Sequence, residues 1–167
     1  MHEPTRIEWD EQGLLEVLTF DIGEEKLAIE AVMIREILDL LPETAVPGAP
    51  PLVGSIVNFR GKIIPIADLR FAFGMPVEAP TADSRIVVIE TELDGEAQHI
   101  GIRTDKVHEV ATLRRETSAE PPVVGMRWRR DFVREFVREP EGVIVLPDLA
   151  AIFQTVTGDA ASASAHN

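Results

Sequence analysis

Four histidines, a surplus of carboxylates and no cysteine bound the chemistry open to this 167-residue chain. Without a thiol there is no disulfide framework, no thiolate metal site and no cysteine nucleophile. His2 and His166 fall in the terminal stretches, His99 stands among polar neighbours and His108 adjoins Glu109, so none has the spacing of a metal-ligand pair. Successive side chains on a strand point to opposite faces, so His108 and Glu109 cannot act together on one atom. The segment GSIVNFRGK fails as a phosphate loop: Gly54 stands seven residues from Gly61, and Ile63 follows Lys62 where a serine or threonine is needed. No serine sits in a nucleophile elbow. These patterns point away from catalysis, and no cofactor or metal is expected.

The residues left with chemical work to do lie in VNFRGKIIPIADL, where Asn58, Arg60 and Lys62 surround Gly61 inside an apolar run. Residues 53–59 and 62–67 read as a hairpin whose turn carries Arg60 and Gly61, glycine supplying a positive φ. That lifts the Arg60 guanidinium to the rim, where it is placed for charge-assisted bonds to a carboxylate such as Glu36. Asn58 is suited to bonding the turn backbone. Pro65 has no amide hydrogen, which places its strand at an edge or a barrel corner.

Similar punctuated runs fill the chain. LLEVLTFDI and KLAIEAV flank Gly23 and Glu24; RIVVIETEL and HIGIRTDKV flank DGEAQ; DFVREFV and GVIVLPDL flank REPE. Each reads as a hairpin. Helical periodicity is scarce, and only two short helices are expected, each opened by an aspartate cap: Asp68 before LRFAF and Asp148 before LAAIFQTV. The order hairpin, acidic strand, hairpin, short helix occurs twice. At an offset of 73 Ile29 matches Ile102, Ile34 matches Val107, Glu36 matches Glu109 and Ile37 matches Val110; at an offset of 80 Asp68 matches Asp148, Leu69 matches Leu149 and Phe73 matches Phe153. Two such units with about five strands each predict an all-β pair of small barrels, since closure removes the edges that short strands expose.

The formal net charge of -13 is concentrated early: residues 1–50 carry 12 acids against 3 bases, residues 101–167 carry 10 against 9. An acidic front half repels phosphate backbones, so no nucleic-acid partner is expected, and Arg127, Arg129 and Arg130 read as a solvated loop. MHEPTRIEWDEQG lacks the basic and apolar regions of a secretory signal, and no run reaches the ~18 apolar residues of a spanning helix. A cytoplasmic protein without membrane insertion is expected. Residues 1–13 read as a flexible N-terminal segment, 14–156 as the folded domain and 157–167, ending GDAASASAHN, as a disordered tail. Such tails fit a free-standing chain.

The ordered set LTFDIGEEKLAIEAVMIREIL, VPGAPPLVGSIVNFRGKIIPIADLRFAFG, RIVVIE, IGIRTDKVHEV and GVIVLPDLAAIF resembles the CheW-like domain of bacterial chemotaxis coupling proteins, from about Leu14 to Val156. The most specific element is the N-x-R-G turn followed by an apolar strand and D-L, arriving after Pro47 and Pro50. The resemblance implies two five-stranded SH3-like barrels in one domain. It also implies a non-catalytic adaptor that joins the cytoplasmic tips of chemoreceptors to a CheA-type histidine kinase in membrane-associated arrays. Ile34, Glu36, Asn58 and Arg60 match positions the family associates with receptor binding. The alternative is a small-ligand-binding or enzymatic module on duplicated barrels, which predicts a concave site with convergent polar groups.

Overall fold

The computed structural model describes residues 6–120 and 130–156. His2, His166, Arg127, Arg129 and the stretch 157–167 lie outside the described residues. Among the described residues twelve strands and short helical turns alternate in two like series. The first contains β1 (Leu14–Ile22), β2 (Glu25–Glu30), β3 (Ile34–Asp39), the two-residue β4 (Thr44–Ala45), β5 (Ser55–Phe59), β6 (Lys62–Ala67) and the helix α1 (Arg70–Phe73). The second contains β7 (Arg85–Leu93), β8 (Glu96–Thr104), β9 (Lys106–Arg114), the two-residue β10 (Ser118–Ala119), β11 (Val133–Glu139) and β12 (Gly142–Pro147). A helix over residues 149–156, α2, follows.

The duplicated order is present, but a repeat is not a barrel. One sheet runs β10-β11-β12-β2-β1-β9 and the other β3-β7-β8-β6-β5-β4. Each therefore joins the first hairpin of one repeat to the remaining strands of the other. The sheets have five full strands plus a two-residue strand at one edge, as two SH3-like barrels, hereafter the first (β1, β2, β9–β12) and the second (β3–β8). The seams between repeats are the two parallel pairings, β12 with β2 through Ile144↔Lys26 and Val145↔Leu27, and β6 with β8 through Ile66↔Gly101 and Ala67↔Ile102. Pro65 lies just before the second seam, so β6 is internal to its sheet. At Pro65 itself β6 is paired with β5 alone, through Ile56, so the missing amide hydrogen costs no bond to β8.

Alternation along the strands makes three cores. Val17, Ala28, Leu113, Val137, Ile144 and Leu146 fill the first barrel. Leu38, Val57, Ile64, Ile66, Ile86 and Val88 fill the second. The opposite faces of the hairpins, Leu18, Phe20, Ile22, Leu27 and Ile29 against Val87, Ile89, Ile100 and Ile102, meet between the barrels together with Leu69 and Phe73, Leu149, Ile152 and Phe153. Burial on both faces explains why β1 and β7 read as near-continuous apolar runs. Ahead of β1, Ile7 is buried and Trp9 packs against the first barrel's core, so part of 1–13 is built into that barrel.

Asp148 accepts the Ala151 amide at 3.1 Å, three residues on, as a helix cap does. Asp68 accepts the Arg70 amide at 3.1 Å, only two residues on, which makes a turn ahead of α1. Buried ion pairs clamp the seams. Arg134 on β11 forks onto Glu30 of β2 at 2.6 and 3.0 Å, and its Nε donates to the Pro147 carbonyl at 3.0 Å. Burial pushes the Glu30 carboxyl up, but the Arg134 hydrogen bonds and charge outweigh it and hold Glu30 below the usual carboxylate range. In the second barrel Arg103 bonds Glu43 and, at 3.2 Å, Asp68. Arg70 bonds Asp105, which also accepts the Gly23 amide at 2.6 Å, tying α1 to the β1–β2 turn. Against its burial, the Arg70 and Gly23 hydrogen bonds keep Asp105 below its ordinary value.

Candidate docking surface

The interior face of the second barrel ends in a polar ring. Stepping two residues outward from each last buried position keeps the side chain on the inner face. From Leu38 the step leads to Glu36 on β3, and from Val88 to Glu90 on β7. From Gly101 it leads to His99 on β8, from Ile64 to Lys62 on β6, and from Val57 to Phe59 on β5. The pairings Val88↔Gly101 and Glu90↔His99, and Val57↔Ile64 and Phe59↔Lys62, show successive layers of the same stack. Five strands thus present Glu36, Glu90, His99, Lys62 and Phe59 at one mouth.

The ring is joined by contacts. Arg35 donates to Glu90 Oε2 at 2.9 Å, His99 Nε2 lies 3.1 Å from Glu90 Oε1, and Lys62 Nζ bonds His99 Nδ1. Hydrogen bonds from Arg35, then His99, hold the Glu90 carboxyl below its ordinary value. A register shift between Ile34 and Glu36 brings both Arg35 and Glu36 to the rim. On the far side the β5–β6 turn carries Arg60, with φ 53°, and Gly61, with φ 80°, two left-handed residues in succession as a tight hairpin turn requires. Arg60 lies over the Phe59 ring, 4.6 Å from its centroid, and its Nη1 is 3.8 Å from Glu36 Oε1. β3 is one edge strand of the sheet and β5 lies next to the other, so this pair spans the gap that the hydrogen-bond ladder leaves.

Of the four residues singled out from sequence, the structure brings Glu36 and Arg60 together. Asn58 accepts the Gly61 amide at 3.0 Å and staples the turn that presents Arg60. Ile34 is half-buried and packs on the core between the barrels, behind Glu36. Sequence reasoning missed Arg35, Phe59, Lys62, Glu90 and His99. The available signal was the break from apolar to polar two residues after Val88 and two before Ile64. The first barrel's mouth follows the same plan with other residues: His108 and Asp21, 2.8 Å apart, replace Arg35 and Glu90; Lys26 and Glu139, 3.5 Å apart, stand for His99 and Phe59. Glu109 matches Glu36, but Pro140 stands where Arg60 would meet it. Among the described residues, no group of three or more His, Asp or Glu side chains is arranged to hold a metal.

The fold is that of a known family. The family model for the CheW-like domain matches residues 16–157. The chain belongs to the CheW-like family. Among CheW relatives, the probable chemotaxis protein CheW of Rhizobium etli is 29% identical over 150 residues, 90% of this chain and 94% of that protein. The chemotaxis protein CheW of Helicobacter pylori is 35% identical over 80 residues, covering 48% of each. The crystal structure of the scaffolding protein TtCheW from Thermoanaerobacter tengcongensis superimposes with a TM-score of 0.72 at 28% identity, over 84% of this chain and 92% of that one. The two SH3-like barrels are thus the CheW fold; the solved relative is named a scaffolding protein and the sequence relatives chemotaxis proteins. No helix among the described residues of this CheW-like chain is long and apolar enough to cross a membrane.

Proposed function

We propose that this chain is a non-catalytic chemotaxis adaptor that couples the cytoplasmic tips of chemoreceptors to a CheA-type histidine kinase, with receptors docking on the mouth of the second barrel. The family match over nearly the whole domain carries the adaptor reading. The Arg60 and Glu36 pair across the barrel gap supports the site, because the corresponding Pro140 leaves the first barrel without it. Ile34 supports Glu36 from behind and Asn58 holds the turn, so the four residues act as contact and frame. The unit concerned is residues 14–156, in the cytoplasm and recruited to receptor arrays at the membrane. Coupling of this kind needs only differential contacts with two receptor conformations, not chemistry.

The test is reconstitution with receptor-bearing membranes and the CheA-type kinase of the same organism. The chain is expected to co-sediment with both and to leave ATP unhydrolysed on its own. Absence of association with either partner at low and physiological salt overturns the reading, as does robust hydrolysis by the chain alone.

A further inference from the structure

We propose that His99 is a positioning residue of the docking surface: as the neutral tautomer it holds the Lys62 ammonium over the mouth, and its protonation releases Lys62 and weakens receptor docking. This rests on the reading of the second barrel's mouth as the receptor surface. An ammonium has only donors, so the Nδ1 that Lys62 contacts must be a bare acceptor. The imidazole proton then sits on Nε2 and is donated to Glu90 Oε1 at 3.1 Å. Glu90 is itself fixed from β3 by Arg35 at 2.9 Å. The tautomer is therefore set from both sides, by a donor on β6 and an acceptor on β7.

A second proton has only Nδ1 to occupy, where it faces Lys62 Nζ. Two donors of like charge cannot share that contact. The remaining charged group on the same face of β7 is Glu92, one step further out; it favours the imidazolium but gives Lys62 no replacement on β8. Lys62 is the cross-strand partner of Phe59, whose ring already carries Arg60. Displaced from His99, Lys62 loses the acceptor that holds it over the mouth and faces the imidazolium and Arg60 as like charges. Its counterpart at the first mouth is Gly142 and the counterpart of His99 is Lys26, so the arrangement belongs to the second barrel only.

The experiment measures affinity of the full chain for receptor-bearing membrane vesicles of the same organism between about pH 8 and about pH 5.5, where imidazoles change charge. Affinity is expected to fall at least about fivefold on acidification. His99→Gln, whose carbonyl accepts from Lys62 and whose amide donates to Glu90, should cut that ratio to less than about twofold. Lys62→Met should flatten the profile too, since no ammonium is left to release. A flat wild-type profile, one that rises on acidification, or a slope that His99→Gln retains overturns the proposal. Nitrogen NMR of the imidazole at the alkaline end gives a readout free of receptors. A proton on Nε2 supports the arrangement; a proton on Nδ1 overturns it whatever the receptors do. Failure of the wild type to bind vesicles at any pH, with the Nε2 tautomer in place, instead removes the docking reading on which the proposal stands.

Discussion

Arg60 holds a left-handed backbone conformation that costs a residue with a side chain about 1 kcal/mol relative to glycine. Its ion pair does not offset this by much: the Arg60 side chain is 76% exposed and that of Glu36 46%, and pairs so exposed contribute about 0–1 kcal/mol. Folding alone therefore gives little reason for arginine at this place. Arg60→Gly relaxes the turn while deleting the guanidinium, and it is expected to leave stability within about 0.5 kcal/mol of wild type by thermal melting. The same variant is expected to lose about thirtyfold in receptor co-sedimentation, the loss typical of an anchor at a desolvated contact. Normal melting with undiminished docking would strike Arg60 from the surface. Combining it with Glu36→Ala separates direct contact from orientation of the carboxylate, because an orienting arginine gives non-additive losses.

β8 crosses the second barrel at Gly101, where an added Cβ would come within 2.7 Å of Ile66 Cδ1 and Ile86 Cγ2. Both are interior side chains of the packed core, so neither yields freely. Gly101→Ala is expected to destabilise by about 1–3 kcal/mol in urea unfolding. The first barrel holds Ala28 at the matching place, in one core with Val17 where the second has Ile86. Ile86→Val in the Gly101→Ala background should therefore recover part of the loss, and a purely additive double variant would contradict this account. The clamp from Arg134 of β11 to Glu30 of β2, across the seam between β12 and β2, rests on a different force. Arg134 is 7% exposed and Glu30 17%, so Glu30→Ala leaves a buried, unpaired guanidinium and is expected to cost about 3 kcal/mol. An unfolding midpoint close to wild type would show that water reaches Arg134 when its partner is gone.

Because each barrel takes a hairpin from the other repeat, neither half of the chain can close a core alone. Residues 14–80 expressed by themselves are expected to lack cooperative unfolding, and mixing with residues 81–156 should restore it. A folded isolated half would mean that the strands pair differently without their partner. Acid acts on the same junctions. Glu30 and Asp105 both titrate below their unfolded values, so between the folded and unfolded pKa the unfolded chain binds more protons. Their contribution is complete above about pH 4.5 and is lost as the pH falls through the lowered folded values. Urea midpoints are expected to drop in that acid window, and Glu30→Gln should shrink the drop. An unchanged pH profile in that variant would place the acid sensitivity elsewhere.

The alternation of apolar residues, the turn pairs Arg60–Gly61 and Asp94–Gly95 and the twofold recurrence of D-L before a short helix determined the strand content, the duplication and the two helices. These are local properties, decided within a few residues by side-chain period and backbone sterics. The N-x-R-G turn was equally local, which is why the turn position of Arg60 and the stapling role of Asn58 were legible in the sequence. The exchange of hairpins between repeats was not, because a strand's pattern says which face is buried but not which chain segment covers it. The same limit hid the mouth of the second barrel. Glu36, Glu90, His99 and Lys62 are ordinary polar residues within strands, and only the pairing of strands distant in sequence brings them into a connected ring. Ile34, apolar and next to the site in sequence, went the other way: a shift of one residue in β3 turned it into the core and left Arg35 and Glu36 at the rim.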